Sequence, residues 1–486
     1  MMQLRNKGVK WSPISSLTPF LFLLITIVVA HAHMLEPEEK DDDSNEMRLE
    51  LIHRHDPRIA GNQQHGTVSG FEQIKELARR DIIRHQRLLN GGYTERRKNW
   101  EIFQMPMHAG LDYDVGEYFV QVRIGTPAQK FWLIADTGSD LTWVNCRYCT
   151  GNCEPHSRKR RNRVSHRRVF LANRSLSFHP VTCSSRQCKV DLSELFSLTT
   201  CPNPSDPCRY DYRYMDGSAA LGLFGSETIT VSLTNGKKRK LKDMLIGCTK
   251  NATGGSSFNS KTDGVLGLSI AKESFLVKAA REYGGKFSYC LVDHLSHKNV
   301  SNYLSFGGYG NSKTTLLGDI RQTPLALAPP FFGVNVIGIS IGGQLLKIPS
   351  EIWNIAGQGG LIMDSGTSLT LLAEPAYEPV IGVLLKALEK FDSLEKEISP
   401  FEHCYNASGF DEGSVPRLAF HFEGGARFEP PVKSYVLDAG PNAKCIGILP
   451  TAWPGSSTLG NILQQNHLWE FDLLKNIVGF APSACT

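Results

Sequence analysis

The first 145 residues of this 486-residue chain contain no cysteine, although the chain has twelve. No apolar run reaches the ~20 residues that a membrane-spanning helix needs; the longest, LTPFLFLLITIVVA, covers residues 17–30. No apolar tail follows Cys485, which argues against a lipid anchor attached at the C-terminus. Helical patterns are few. Charge of one sign is also lacking: the net value of +5 is mild, and much of the basic character sits in the first hundred residues and in one loop. These absences disfavour a membrane-spanning helix. Hydrophobic residues at 41% and charged residues at 21% suit a globular chain, and its length calls for two or more domains.

What the N-terminus does carry is Arg5, Lys7 and Lys10, then the apolar run, then small residues at Ala30 and Ala32. This is the build of a secretory signal peptide over residues 1–32; an uncleaved anchor is disfavoured by the shortness of the run. The cysteines fit export, since an even number in an oxidising route predicts six disulfides. Seven fall in one segment: Cys146, Cys149, Cys153, Cys183, Cys188, Cys201 and Cys208. Seven is odd, so at least one pairs with a later cysteine, of which Cys248 is the nearest. A zinc site at CRYCTGNC is the competing reading, but no His stands at finger spacing. No metal and no cofactor is expected. Sequons at Asn173, Asn251, Asn299 and Asn406 predict surface glycosylation.

Residues 33–108 read as a removable pro-segment, charged and helix-prone. In FEQIKELARRDIIRHQRLL, residues Phe71, Ile74, Leu77, Ala78, Ile82 and Leu88 share one face at helical spacing. The texture changes near Gly116. EYFVQVRIG alternates and ends at a GTP turn, and short β-rich runs broken by Gly, Asn and Pro continue to the end. Helical patterns are confined to 274–283 and 375–391. The run HSRKRRNRVSHRR, residues 156–168, holds seven Arg or Lys and reads as an exposed loop. It could bind an acidic partner, be cut by a basic-specific protease, or be a solvated insertion.

LIADTGSDLTWV at 133–144 returns as LIMDSGTSLTLL at 361–372, with six of twelve positions identical. The two aspartates, Asp136 and Asp364, stand 228 residues apart. Each follows an apolar triplet, read as a buried strand. Gly138 and Gly366 permit a tight turn with backbone close to the carboxylate. The hydroxyls of Ser139 and Thr367 can bond that carboxylate, while Thr137 and Ser365 can bond across to the other copy. Two copies with matching flanks imply two similar lobes related by a pseudo-two-fold axis, each presenting one Asp at the interface. Two carboxyl groups about 3 Å apart do not both ionise readily and share a proton. Such a pair can activate a water against a peptide carbonyl with neither metal nor covalent intermediate.

On these residues the sequence resembles the pepsin-like aspartic endopeptidases, and within them the cysteine-rich plant type typified by nepenthesins, over residues 117–485. The resemblance implies a bilobal all-β fold with a few short helices and a catalytic dyad at Asp136 and Asp364. By it, YRYMDGSAALG looks like the flap, with Tyr214, Gly217 and Ser218, and Trp143 looks like the tryptophan supporting the flap tyrosine. GVLGL (264–268) and TLGNI (458–462) resemble the strands that thread each active-site loop. RLELIHRHDP resembles the plant pro-segments. The resemblance also suggests pairing Cys404 with Cys445, which leaves Cys290 and Cys485. Two features depart from the pattern: Met215 stands where the family usually has Gly, and the basic run has no counterpart.

The expected organisation is a signal peptide (1–32), a pro-segment (33–108), an N-terminal β lobe with flap and cysteine-rich insertion (109–300) and a C-terminal β lobe (301–486). The expected function is a secreted, glycosylated zymogen of an acid endopeptidase. It would be monomeric, without a stable membrane anchor, reside in the apoplast or vacuole, and act on protein or peptide substrates held extended. The rival is a catalytically silent binding or inhibitor protein on the same fold. A glycosidase needs two carboxylates but no repeated lobe. Nucleic-acid binding through the basic loop is disfavoured by export.

Overall fold

Met47, Leu49 and Leu51 alternate with Arg48 and Glu50, and this stretch of the expected pro-segment is a strand, β1 (Met47–His53). The helix-prone reading is corrected here, because a period of two outweighs composition. In the computed structural model the described residues are 47–53, 118–148, 168–195, 197–214, 218–233, 237–253, 262–293, 302–307, 315–328, 331–355, 359–394, 398, 401–440 and 442–485. The expected signal peptide, the 71–88 helix, Met215, Gly217, Cys149, Cys153, Asn299 and all of the basic run except Arg168 lie outside them.

The first half continues through β2 (Tyr118–Ile124), β3 (Gln129–Asp136) and β4 (Trp143–Arg147). Then come the hairpin β5 (Arg209–Arg213) and β6 (Ala219–Ser232), β7 (Lys238–Thr253) and β8 (Gly264–Gly267). Helix α1 (Phe275–Glu282) starts where the Ser274 hydroxyl accepts from the Val277 amide at 3.2 Å. It leads into β9 (Lys286–Cys290) and β10 (Asn302–Phe306). In the second half β11 (Leu361–Met363) and β12 (Thr370–Ala373) precede helix α2 (Glu374–Leu388), which opens with Pro375 in its first turn. Late in the chain lie β13 (Ser457–Leu459), β14 (His467–Asp472) and β15 (Ile477–Pro482).

One sheet joins the halves. β1 pairs with β2 on one side and β10 on the other, β10 with β9, β9 with β14, and β14 with β15. The lobes therefore share a continuous ladder, with β10 paired to β9 across residue 300. Phe287 stacks on Phe471 at 4.5 Å in the core beneath it. Lys286 bridges Glu470 at 3.3 Å and Asp472 at 3.4 Å along its face.

Five disulfides staple the described residues. In the first half they join Cys146 to Cys248, Cys183 to Cys201 and Cys188 to Cys208. Cys404 is joined to Cys445 across paired strands, and Cys290 to Cys485 at the end of the shared sheet. Asn173 and Asn251 are exposed and Asn406 is half-buried. No helix among the described residues is long and apolar enough to cross a membrane.

Candidate active site

Each aspartate ends a buried strand. Leu133, Ile134 and Ala135 lie in β3, and Leu361, Ile362 and Met363 form β11. The strand from the later glycine motif runs parallel to it: β8 beside β3, and β13 beside β11. That same strand turns antiparallel to the next element, with Val265 opposite Trp143 in one lobe and Thr458 opposite Leu371 in the other. Trp143 and Leu371 are 228 residues apart, so the two loops follow one plan.

The threading requires glycine. A Cβ at Gly267 would lie 2.9 Å from the Ser139 carbonyl oxygen, and one at Gly460 would lie 2.2 Å from that of Leu369. The amides they bring in are satisfied alike: Gly267 N–H donates to the Thr142 hydroxyl at 3.0 Å, and Gly460 N–H to the Thr370 hydroxyl at 3.2 Å.

The carboxylates are held the same way. Asp136 Oδ1 accepts from Gly138 N–H at 2.9 Å, and Asp364 Oδ1 from Gly366 N–H at 2.8 Å. The Ser139 hydroxyl donates to Asp136 Oδ2, and the Thr367 hydroxyl to Asp364 Oδ2. Between the lobes the bonds cross. Thr137 N–H donates to the Ser365 hydroxyl at 3.1 Å, and Ser365 N–H to the Thr137 hydroxyl at 3.0 Å. Each hydroxyl then donates onward to the far strand, Thr137 to the Met363 carbonyl at 3.3 Å and Ser365 to the Ala135 carbonyl at 3.1 Å. The result puts both carboxylates at one spot. A Cβ on Gly366 would lie 2.4 Å from Asp136 Oδ1 and 3.2 Å from Asp364 Oδ1, so these oxygens are no farther apart than those distances end to end. Both residues are almost fully buried.

Two profiles match the chain, described as xylanase inhibitor N-terminal over residues 118–308 and xylanase inhibitor C-terminal over residues 331–482. Aspartyl protease family protein 2 of Arabidopsis thaliana is 31% identical over 395 residues, covering 79% of this chain and 74% of that protein. Aspartic proteinase nepenthesin-1 of Nepenthes gracilis is 29% identical over 487 residues, covering 97% of this chain and 99% of that protein. This chain belongs to the pepsin-like aspartic protease family. In fold it is similar to basic 7S globulin from soybean, with a TM-score of 0.59 at 22% identity over 78% of this chain and 96% of that one.

β5 and β6 pair as an antiparallel hairpin. Arg213 pairs with Ala219, and Tyr214 N–H donates to the Ser218 carbonyl at 2.8 Å. Trp143 Nε1–H donates to the Tyr214 hydroxyl at 2.5 Å. Burial pushes the Tyr214 hydroxyl well above the ordinary tyrosine range; the Trp143 bond opposes this, and the Asp136 charge adds to it. Cys208, bridged to Cys188, sits at the foot of β5, so the cysteine-rich insertion is bolted to the base of the hairpin.

Several residues beside the site were not singled out in the sequence. The Tyr212 hydroxyl accepts from Asp140 N–H at 3.4 Å, and burial, then the Asp140 charge, raise its pKa well above normal. Tyr289 donates to Gln464 Oε1 at 2.5 Å; burial and the Asp364 charge raise its pKa. Asn461 Nδ2–H donates to the Ser365 carbonyl at 3.0 Å. Thr142 and Thr370 had a signal, since they are an identical pair in the repeat. Asn461 had none, because its counterpart after the glycine is Leu268. Cys183, Cys188 and Cys201 cluster as a metal site would, yet all three are oxidised in disulfides and offer no thiolate.

Proposed function

We propose that this chain is the zymogen of a secreted aspartic endopeptidase that hydrolyses peptide bonds at acidic pH through Asp136 and Asp364. The convergence of the two carboxylates on Gly366 carries this reading, and the crossed Thr137 and Ser365 bonds support it. The ionised member takes a proton from a water bound between them. The water oxygen attacks the carbonyl carbon, and the proton of the other carboxyl passes to the carbonyl oxygen. The tetrahedral adduct then collapses: the C–N bond breaks, the amine leaves with the proton taken from the water, and one hydroxyl of the adduct returns its proton to the second carboxylate as the C=O bond re-forms. Tyr214 would close over the extended substrate, steadied by Trp143. The pro-segment, residues 33–108, would leave on activation, taking β1 out of the shared sheet. The export route, the four sequons, the monomeric state and a destination in apoplast or vacuole belong to the same proposal, and five disulfides support an oxidising environment.

A second reading is a catalytically silent binding protein, favoured by the inhibitor descriptions of the two matching profiles. One experiment separates the two. The purified pro-form is taken from neutral pH to about 4, and its mass and its cleavage of a quenched peptide are followed with and without pepstatin. Loss of the pro-segment with pepstatin-sensitive turnover, absent in Asp136→Asn and Asp364→Asn, supports the enzyme. A wild type that stays inert after its pro-segment is cut by another protease overturns it.

A further inference from the structure

The charge of the two lobes is opposite. Residues 109–300 carry 27 Lys or Arg against 17 Asp or Glu, and residues 301–486 carry 11 against 17. Seven of the first lobe's cations lie in the 156–168 run, and four others are ordered by strand register. Lys130 on β3 is the cross-strand partner of Arg123 on β2, Arg123 of Thr230 on β6, and Thr230 of Lys240 on β7. Directly opposed residues share a face, so these four form one row across four strands. At about 4.8 Å per strand the row is about 14 Å long. Lys238 extends it two residues along β7, opposite Ser232. Lys130, Lys238 and Lys240 are exposed and Arg123 is half-buried. None of the four makes an ion pair with a described residue. Glu282 pairs with Arg239 at 3.7 Å, and Asp263 accepts two backbone amides.

Those two amides join the row to the basic run. Asp263 Oδ2 accepts from Trp132 N–H at 2.9 Å and Oδ1 from Arg168 N–H at 2.9 Å. The Arg168 guanidinium donates to the Lys130 carbonyl at 3.2 Å. The last residue of HSRKRRNRVSHRR is thus fixed beside the first residue of the row. Trp132 lies on the same face as Lys130, two residues along β3, half-buried and opposite Gln121.

We propose that this face binds an acidic polysaccharide, a uronate polymer, with its carboxylates along the Lys130–Arg123–Lys240 row and one sugar ring against the Trp132 indole. A straight row on a sheet suits an extended chain of repeating charge. A partly open indole offers a flat face for the C–H side of a sugar ring. The choice of polymer rests on the export proposed above, because an exported chain meets uronates rather than nucleic acid. Lys130 lies six residues before Asp136 on β3, about 20 Å along the strand, so bound polymer leaves the cleft open to substrate.

The test is binding of the purified full chain to immobilised polygalacturonate, which needs no turnover and so can fail independently of the peptidase reading. Binding should weaken steeply between about 50 and about 200 mM salt. The triple variant Arg123→Gln, Lys130→Gln, Lys240→Gln should lose affinity about tenfold or more and flatten the salt dependence. Lys386→Gln with Lys390→Gln on the other lobe should change nothing. Lys130, Lys240, Lys386 and Lys390 are exposed and Arg123 is half-buried, and a circular dichroism spectrum like that of the wild type secures the comparison. Unchanged affinity in the triple variant overturns the proposal. So does equal binding to neutral dextran, or tighter binding to polyglutamate or to phosphatidylserine vesicles than to polygalacturonate.

Discussion

The two lobes build the same loop and then use it differently. Residue by residue at a spacing of 228, Asp136 answers Asp364, Thr137 answers Ser365, and Thr142 answers Thr370, with hydrogen bonds that match to a few tenths of an ångström. The symmetry stops at Asp140 against Ser368 and at Trp143 against Leu371. Only the first lobe grows the hairpin that Trp143 supports. Three of the five described disulfides lie wholly within that lobe, one of them at the hairpin's foot. The second lobe instead supplies Asn461, which ties its own loop to the crossed pair through the Ser365 carbonyl. The bonds that hold the two carboxylates are equal, while the flanks diverge.

The comparison breaks first at its centre. If the carboxylates act as one pair, Asp136→Asn and Asp364→Asn each lower kcat/KM on a quenched peptide by about ten-thousand-fold or more, and the double variant is little worse than either. A single variant that keeps substantial turnover would mean that the lobes are not equal partners.

The glycines sharpen it next. Gly460→Ala forces a Cβ to 2.2 Å from a carbonyl oxygen, and Gly267→Ala to 2.9 Å. Neither backbone can yield without disturbing an aspartate loop. Urea unfolding should show a loss of about 3–5 kcal/mol for the first and about 1–3 kcal/mol for the second. Equal losses would mean that the loops relax alike.

Trp143→Phe removes the indole N–H that donates to the buried Tyr214 hydroxyl. A stability loss of about 1–2 kcal/mol is expected, with a fall of about tenfold in kcat/KM as the hairpin loosens. Leu371→Met at the matching position of the other lobe should leave kcat/KM unchanged.

The smallest effect concerns acid. Among the described residues the two histidines with lowered pKa lie in the second half: His467, through burial opposed by the Gln465 carbonyl, and His421, through burial and then Arg427. A lowered native pKa means that the unfolded chain takes up the proton first as pH falls through about 6.5. Stability therefore drops below that pH until the native histidine titrates too. His467→Gln should flatten the stability curve there, by at most about 1.4 kcal/mol per pH unit, measured by urea unfolding from pH 7 to 4.

The legible part of the site was the part written twice. Asp136, Gly138, Ser139 and their counterparts stood out because a repeat of identical residues in identical order is a strong signal even without coordinates. Thr142 and Thr370 were equally visible, but their task was not, since it depends on Gly267 and Gly460, far along the chain. Tyr212, Tyr289 and Gln464 carried no pattern, because ordinary core aromatics and amides look the same in sequence. β1 had a signal, the alternation of Met47, Leu49 and Leu51 with charge, that the helix-prone surroundings masked.

By itself the sequence determined the composition of each half-site, the even cysteine count, the two-lobed β architecture and the basic run. These are local or periodic properties, set by which side chains alternate and which residues permit a turn. The tertiary structure alone decided that Thr137 bonds Ser365, that both carboxylates meet at Gly366, that β1 enters the shared sheet, and that Arg168 lies beside Lys130. Each of these joins groups tens to hundreds of residues apart. Only the burial of two cores and the closing of one sheet between them fix such distances, because a hydrogen bond between distant residues forms only after packing has met the entropy cost of bringing them together.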